Sequence, residues 1–261
     1  MKHVTAATLE VKHADIGIRG KVSVGIPHST AAVLALPLLR LIREKLPLVE
    51  IALHEGLSGL LGEQLDSGRL DFSILFDPEP QTGLETTPLF SERLHFVSAD
   101  PAICKAYAGA REISLRDVMA RPLILPPQPN GIRMLLERES LRLNMRPRVV
   151  ADITGVATML AAVHAGLADS VMMAVNAGGA AADNIRLVLP VAEPAITRRA
   201  CLVEPAHFRL TTAATAVKAI TLQVIEELVS DGKWPGAAIE QVPHRETDFD
   251  PSPPQTPAGL G

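Results

Sequence analysis

The sequence predicts a two-lobed α/β domain over about residues 20–231, with a cleft for a small molecule between the lobes. Strands and helices alternate along this region, which is typical of parallel sheets. Segments 51–75 and 149–173 also share one order of features: strand, glycine turn, apolar helix, glycine stop, aspartate and strand. The composition suits such a core, because 47% of the residues are hydrophobic and only 21% are charged.

Composition also excludes some classes of function. Aromatic residues make up 3% of the chain, so it lacks the stacked aromatic platforms of many single-stranded nucleic-acid and sugar sites. The formal net charge is −4, which supplies no basic surface to neutralise phosphates. The chain as given is therefore expected to be a poor nucleic-acid binder on its own.

The sequence indicates a soluble, cytoplasmic protein. Cys104 and Cys201 lie far apart without a CxxC pair, so neither a disulfide framework nor a zinc site is expected. Residues 1–20 have no apolar region of a secretory signal, and no apolar run approaches the length of a bilayer span.

Two stretches are predicted to lie outside the domain. Residues 1–19 are read as a short polar helix, because their apolar residues are too irregular for a buried stripe. Residues 241–261 are rich in proline and polar residues, which predicts a disordered tail.

The first lobe is predicted to begin with a βαβαβ unit. The expected order is strand 21–26, a helix with Pro37 near its start and Pro47 at its end, strand 49–54, a helix that ends at Gly68, and strand 72–76. The second of these helices is expected to place four apolar residues on one face: Leu57, Leu60, Leu61 and Leu65.

The same plan is predicted again after a strand-rich stretch at residues 84–97. The expected elements are strand 122–125, helix 131–143, strand 148–153, a helix that ends at Gly166, and strand 170–175. Strands 185–191 and 200–204 and a long helix at 211–230 complete the domain. The chain should cross between the lobes near residues 97–100 and 191–198, which makes a two-strand hinge.

Four turns are expected at the carboxyl ends of parallel strands, where ligands bind in open sheets. They are residues 27–30, 55–58, 126–130 and 154–156, and each puts small or hydrogen-bonding residues at a helix start. Helix N-termini favour anions, so an organic anion is the expected ligand. The alternative for Ser29, Thr30, Ser58 and Thr154 is that each hydroxyl caps only its own helix.

Two histidines stand near these turns. His28 could donate a hydrogen bond to a ligand in the first turn, and His54 precedes the second turn at a strand end. A structural role stays open for both, because a strand residue can point to either face of the sheet.

Enzyme motifs are incomplete. His54-Glu55 lacks the second histidine of a zinc protease helix, since Ser58 stands there, and residues 56–60 do not complete a nucleophile elbow. No phosphate-cofactor motif is present, and no cofactor is expected. Four acidic residues near strand ends do not have metal-ligand spacing and are read as solvated turn acids: Asp71, Asp77, Glu79 and Asp169.

Specific phrases of the sequence resemble a known family, the LysR-type transcriptional regulators. Residues 19–76, from RGKVSVGIPHST to DFSILF, resemble the start of its effector-binding domain, with an LP-containing helix, a P-x-V/I strand and a GxLD step. PLILPPQPNGIRMLLE and GVATMLAAVHAG resemble the second lobe of the branch that includes nitrogen-assimilation regulators. About four-fifths of the chain is covered in the family's order.

The resemblance implies a type 2 periplasmic-binding-protein-like fold with two Rossmann-like lobes. Lobe I would comprise residues 20–98 and 199–232, and lobe II residues 99–198. A small organic anion or metabolite would bind between them, at nine residues: His28, Ser29, Thr30, Leu57, Ser58, Gln128, Asn130, Thr154 and Gly155. Family domains pair antiparallel, so a homodimer or higher oligomer is implied, with the helix after Pro37 and helix 131–143 as candidate faces.

The chain departs from the family pattern in two ways. The winged helix-turn-helix is missing, residues 1–19 stand where its linker helix would end, and DNA binding is expected only if that domain is supplied. ADSVMMAV, residues 168–175, replaces an aromatic residue and a Leu-Pro at a strand end, so the wall of lobe II should differ.

The leading hypothesis is the effector-sensing part of a LysR-type regulator, either a fragment or a natural truncation. One alternative is a free-standing cytoplasmic solute-binding protein. An enzyme on the same fold ranks last, because the sequence offers no nucleophile–base pair.

Overall fold

A computed structural model of the chain describes residues 17–178 and 186–240. Residues 1–16 of the expected N-terminal helix 1–19, the expected tail at residues 241–261 and Ile185 lie outside the described residues. Residues 17–19 are not helical.

The described chain contains eleven strands and seven α-helices. The strands are β1 (Gly20–Pro27), β2 (Val49–Gly56), β3 (Phe72–Phe76), β4 (Leu84–Ser98), β5 (Ile113–Ser114), β6 (Pro122–Leu125), β7 (Arg148–Asp152), β8 (Asp169–Met173), β9 (Leu187–Ala192), β10 (Thr197–Pro205) and β11 (Ala237–Ile239). The α-helices are α1 (His28–Lys45), α2 (Ser58–Asp66), α3 (Pro101–Ala106), α4 (Leu115–Met119), α5 (Gly131–Arg142), α6 (Val156–His164) and α7 (Thr212–Ser230). A 3₁₀ helix, η1 (Ala174–Gly178), follows β8.

The two lobes repeat one strand order, which confirms the predicted α/β class. In the first lobe β1 lies between β2 and β3, and both pairings are parallel. In the second lobe β6 lies between β7 and β8, again in parallel. The carboxyl ends of β1, β2, β6 and β7 lead directly or by a short turn into α1, α2, α5 and α6. This arrangement is the type 2 periplasmic-binding-protein-like fold.

Strand β4 runs through both lobes, and the chain returns to the first lobe between β9 and β10. β10 pairs antiparallel with β3 and with the first part of β4, up to and including Arg93. From Leu94 onward, β4 pairs with β8 and β9 of the second lobe. The change of partner therefore falls between Arg93 and Leu94, whereas the sequence placed the first crossing near residues 97–100. The exact lobe boundaries at residues 98/99 and 198/199 stay a prediction.

The first core lies between the first-lobe sheet, α1 and α7. The apolar stripe that the sequence predicted on α7 is buried in full and consists of Val217, Ile220, Val224, Ile225 and Leu228. Trp234, which follows α7, is 1% exposed and belongs to the same core. This packing fixes α1 and therefore the helix start that faces the second lobe.

Two details of the predicted helices are wrong. Helix α1 begins at His28, so Pro37 is its tenth residue and lies inside the helix. Pro27 ends β1 and serves as the N-cap, and buried Leu34 and Leu38 hold the helix on both sides of Pro37. In α2, Leu60 is 54% exposed, because the buried face of that helix is formed by Leu61 and Leu65.

Asp169 is not a solvated acid, contrary to the sequence-based interpretation. It is 2% exposed, and Nε of Arg121 donates to its Oδ2 over 2.7 Å. Arg121 also binds Asp100, the N-cap of α3, and this ion pair lowers the pKa of Asp100. Arg121 stands just before β6, the parallel neighbour of β8, which explains how two distant segments bring the pair together.

No described helix is both long enough and apolar enough to cross a bilayer. Over residues 17–178 and 186–240, no group of three His, Cys, Asp or Glu side chains is placed to hold a metal ion.

Candidate functional site

A cavity of about 530 Å³ lies between the two lobes. Its walls come from the carboxyl ends of the parallel strands and the helix starts that follow them, with further residues from β8, η1 and β10. This position is where open α/β sheets bind ligands.

Each of the four predicted turns contributes to the cavity wall. Six of the nine residues expected to bind an effector line it: His28, Ser29, Leu57, Ser58, Asn130 and Thr154. The turns converge because the two lobes present the carboxyl ends of their parallel strands to one gap.

The other three predicted residues are not on this wall. Thr30 is 1% exposed and packs at the inner side of α1. Gln128 is exposed and donates from its amide to the Glu137 carboxylate. Gly155 is the N-cap of α6, and its neighbours Thr154 and Val156 line the cavity in its place.

Three of the four helices that start at the cavity have no side-chain cap. The N-cap residues of α1, α2 and α6 are Pro27, Leu57 and Gly155. None of them has a side chain that accepts a hydrogen bond from a backbone N–H of the helix. Only α5 is capped, since Oδ1 of Asn130 accepts from the Ile132 N–H over 2.9 Å. The alternative that Ser29, Thr30, Ser58 and Thr154 merely cap their own helices therefore does not hold.

The helices that start away from the cavity are capped. Side chains of Asp100, Ser114 and Thr211 accept N–H hydrogen bonds at the starts of α3, α4 and α7. The backbone N–H groups without a side-chain cap are thus concentrated at the cavity, where the positive ends of the helix dipoles also point.

The two cavity serines have other partners. Ser58 Oγ accepts the Phe76 N–H over 3.1 Å, which ties the start of α2 to the end of β3. Ser29 Oγ lies 2.9 Å from the Nη2 donor of Arg198. Because an arginine and a backbone amide donate to these hydroxyls, neither serine is arranged as an activated nucleophile.

Arg198 is a cavity residue that the sequence did not reveal. It lies on β10 at the junction between the lobes, is 6% exposed, and stacks 3.4 Å from the centre of the Phe76 ring. Its Nη2 also contacts Met173 Sδ at 2.9 Å. One guanidinium therefore contacts Ser29 and Phe76 of the first lobe and Met173 of the second.

Glu92 balances the charge of Arg198. Its carboxylate accepts from Arg198 Nε over 2.6 Å and from the Trp234 indole N–H over 3.1 Å, and it is 3% exposed. Burial lowers the pKa of Arg198, and the attraction of Glu92 opposes this effect. The ion pair leaves little net charge at this end of the cavity.

Asn176 is the second cavity residue that the sequence did not reveal. It lies on η1 and is 5% exposed, and neither Nδ2 nor Oδ1 has a hydrogen-bond partner among residues 17–178 and 186–240. The only sequence signal nearby is the unusual segment ADSVMMAV, which ends one residue before it.

The remaining charged groups on the wall carry both signs. Asp77 and Glu79 follow β3, and Arg138 lies on α5. His28 Nδ1 lies 3.6 Å from Glu55 Oε2 at the surface. The cavity is therefore a mixed polar and apolar site suited to holding a small molecule.

The LysR substrate binding domain family matches residues 16–225. The chain is 24% identical to the nitrogen assimilation regulatory protein nac of Klebsiella aerogenes over 226 residues, which cover 86% of this chain and 72% of nac. It is 32% identical over 150 residues to the HTH-type transcriptional regulator BbuR of Bordetella bronchiseptica, covering 58% of this chain and 45% of BbuR.

Solved structures share the fold. The effector binding domain of QuiR in complex with shikimate superposes with a TM-score of 0.67 at 19% identity, covering 80% of this chain and 99% of that one. HinK, a LysR family transcriptional regulator from Pseudomonas aeruginosa, superposes with a TM-score of 0.68 at 23% identity, covering 85% and 77%. Since the family match spans about four-fifths of the sequence, in agreement with the resemblance noted above, this chain belongs to the LysR substrate binding domain family.

Proposed function

We propose that the chain is the effector-sensing domain of a LysR-type transcriptional regulator and binds a small organic anion in the interlobe cavity. The observation that carries this proposal is the set of helix starts without side-chain caps at α1, α2 and α6, all facing one cavity. A carboxylate that accepts from these N–H groups would supply the missing acceptors.

The helix dipoles add to the hydrogen bonds. An anion at one helix N-terminus gains about 0.3–1 kcal/mol at an exposed site, and up to about 2 kcal/mol in a partly buried one. Two or three converging starts can therefore favour an anion even though the charged side chains on the wall nearly balance. The structural relative that was solved with shikimate supports a small-molecule ligand of this cavity.

Calorimetry with a panel of organic anions tests this function. Binding of the best member should weaken in Ser29→Ala and in Ser58→Ala, because both hydroxyls line the cavity. Thr211→Ala, which removes a cap on the distant helix α7, is the matched control and should bind normally. If both cavity variants bind as tightly as the native chain, the assignment of the site is wrong.

The regulator is further proposed to act as a homodimer or higher oligomer. Large apolar side chains are exposed on both candidate helices, with Leu36 58% exposed on α1 and Leu141 58% exposed on α5. Solution scattering should show a dimer that Leu36→Glu or Leu141→Glu dissociates. A monomer at all concentrations would remove this part of the proposal.

We propose that DNA binding requires a winged helix-turn-helix supplied together with this domain. We also propose that the regulator acts in the cytoplasm. The family relatives are transcriptional regulators, which supports a regulatory and not a catalytic role.

A further inference from the structure

We propose that Asn176 selects the effector, and that the effector is a carboxylate which also carries a hydroxyl or carboxamide group. The inference rests on the proposed function, because it names the ligand class of the same cavity. It starts from the unsatisfied amide of Asn176 and from the position of η1.

Asn176 is held at the ligand-binding edge of the second lobe. β8 ends at Met173, and the 3₁₀ turn of η1 places Asn176 on the cavity wall together with Met172, Met173 and Arg198. η1 also packs against α1 of the first lobe, so Asn176 stands where the two lobes meet.

The surroundings of Asn176 do not use its amide. The residues beside it on the chain, Val175 and Ala177, pack into hydrophobic clusters. Asn130 shows the contrast, because it lines the same cavity but its Oδ1 caps α5. A buried amide without partners costs free energy, so an asparagine with a purely structural role should form hydrogen bonds within the protein. The described residues provide none to the Asn176 amide.

The amide defines the chemistry of its missing partner. A carboxamide offers an acceptor oxygen and two N–H donors, so a complementary group must both donate and accept. A hydroxyl or a carboxamide does both, whereas a carboxylate only accepts, an ammonium only donates and a hydrocarbon does neither. The best ligand therefore has a second polar group besides its carboxylate.

The two ends of the ligand have separate sites. The carboxylate would bind at the helix starts of α1, α2 and α6, which lack side-chain caps. The second group would bind Asn176 of the second lobe, whose buried amide would turn toward the cavity to meet it, so that one small molecule contacts both lobes at once. A cavity of about 530 Å³ has room for such a molecule.

A matched set of probes tests this inference by calorimetry on the native chain and on Asn176→Leu. The probes are benzoate with its three monohydroxy derivatives, and succinate with malate and succinamate. In the native chain, at least one hydroxylated or amidated probe should bind roughly tenfold more tightly than its parent. In Asn176→Leu that preference should fall below about twofold.

Controls separate recognition from folding. Thr211→Ala removes a helix cap away from the cavity and leaves every residue of the wall in place, so the preference should persist. Asn176→Leu should melt no lower than the native chain, because it removes two unpartnered polar atoms. If that variant fails to fold, Asn176→Ser replaces it; the shorter hydroxyl should reduce the preference at least threefold.

Three results overturn the inference. One is a native chain that binds carboxylates but gains nothing from the second polar group. Another is a preference that survives unchanged in Asn176→Leu or Asn176→Ser. In both of these cases the proposed function stands. If the native chain binds no carboxylate at all, the anion proposal falls together with this one.

Discussion

Arg198 and Glu92 face each other in the antiparallel register of β10 and β4, and Arg198 Nε lies 2.6 Å from Glu92 Oε1. Both residues are more than nine-tenths buried. The pair lies at the junction of the lobes and at one end of the cavity. The same ion pair therefore stabilises the junction and positions Arg198 on the cavity wall.

Replacing Glu92 with Gln should destabilise the domain strongly. The change leaves the Arg198 charge buried without its counter-ion, which typically costs about 3–5 kcal/mol. Urea unfolding followed by circular dichroism measures the loss. Glu50→Gln breaks an exposed pair with Lys21 and should cost less than about 1 kcal/mol. Equal effects of the two substitutions would contradict the assigned role of the buried pair.

Replacing Gly25 with Ala should also destabilise the domain. A Cβ at Gly25 would lie 2.5 Å from Ser73 Oγ and 2.7 Å from Leu70 Cδ1, because β1 and β3 approach closely there. Overpacking of this kind costs about 1–3 kcal/mol.

The matched control for Gly25→Ala is Gly62→Ala in α2, measured by the same unfolding experiment. Its Cβ would meet Leu75 Cδ1 at an ordinary 3.8 Å, and alanine favours the helix by up to about 1 kcal/mol. A Gly25→Ala variant as stable as the native chain would mean that the β1–β3 approach is looser than described.

Stability should fall as the pH is lowered below about 6.5, in part through His95. This side chain is 8% exposed, and burial lowers its pKa below the ordinary value of 6.5. As the pH falls, the unfolded chain takes up a proton at His95 before the folded chain does, so the free energy of unfolding decreases until the folded pKa is passed.

Unfolding measured between pH 7.5 and 5.5 checks this dependence. His95→Gln should flatten it, whereas His207→Gln, at an exposed position, should leave it unchanged. An equally steep pH dependence in His95→Gln would show that other groups cause it.

Cys201 should react very slowly with iodoacetamide at pH 8. Burial raises its pKa to about 11, and the residue is 3% exposed, so only about one thiol in a thousand is ionised. Burial also raises the pKa of Cys104, which is half-buried and should react sooner. Intact mass after timed labelling, with a denatured sample as the positive control, gives both rates. Rapid labelling of folded Cys201 would contradict this environment.

Hydrophobic periodicity was sufficient to predict most of the fold. The stripe on α7 is buried as expected, because tertiary packing follows the apolar face of an amphipathic helix. The start of α1 was misplaced because Pro37 was interpreted as a first-turn proline. The helix in fact begins directly after Pro27, which ends β1 and is the N-cap. Asp169 was misread because its partner Arg121 lies 48 positions away.

The candidate site divides in the same way. The residues in strand-to-helix turns were predictable, because parallel topology brings these turns to one edge. Arg198 lies on an antiparallel strand, and its partners Ser29 and Glu92 are 169 and 106 positions away. Asn176 lies in a 3₁₀ turn that carries no periodic signal. Local patterns contain no information on such long-range pairs.

The change of partners along β4 has a mechanical consequence. Hydrogen bonding continues through the change, since the N–H of Arg93 donates to Gly236 and that of Leu94 donates to Ile196. Rotation of one lobe against the other should therefore twist a strand that stays hydrogen-bonded on both sides of the change, and the resistance should grow with the angle. The junction should therefore return the lobes to their original orientation when the force on them is removed, and should not let them rotate freely.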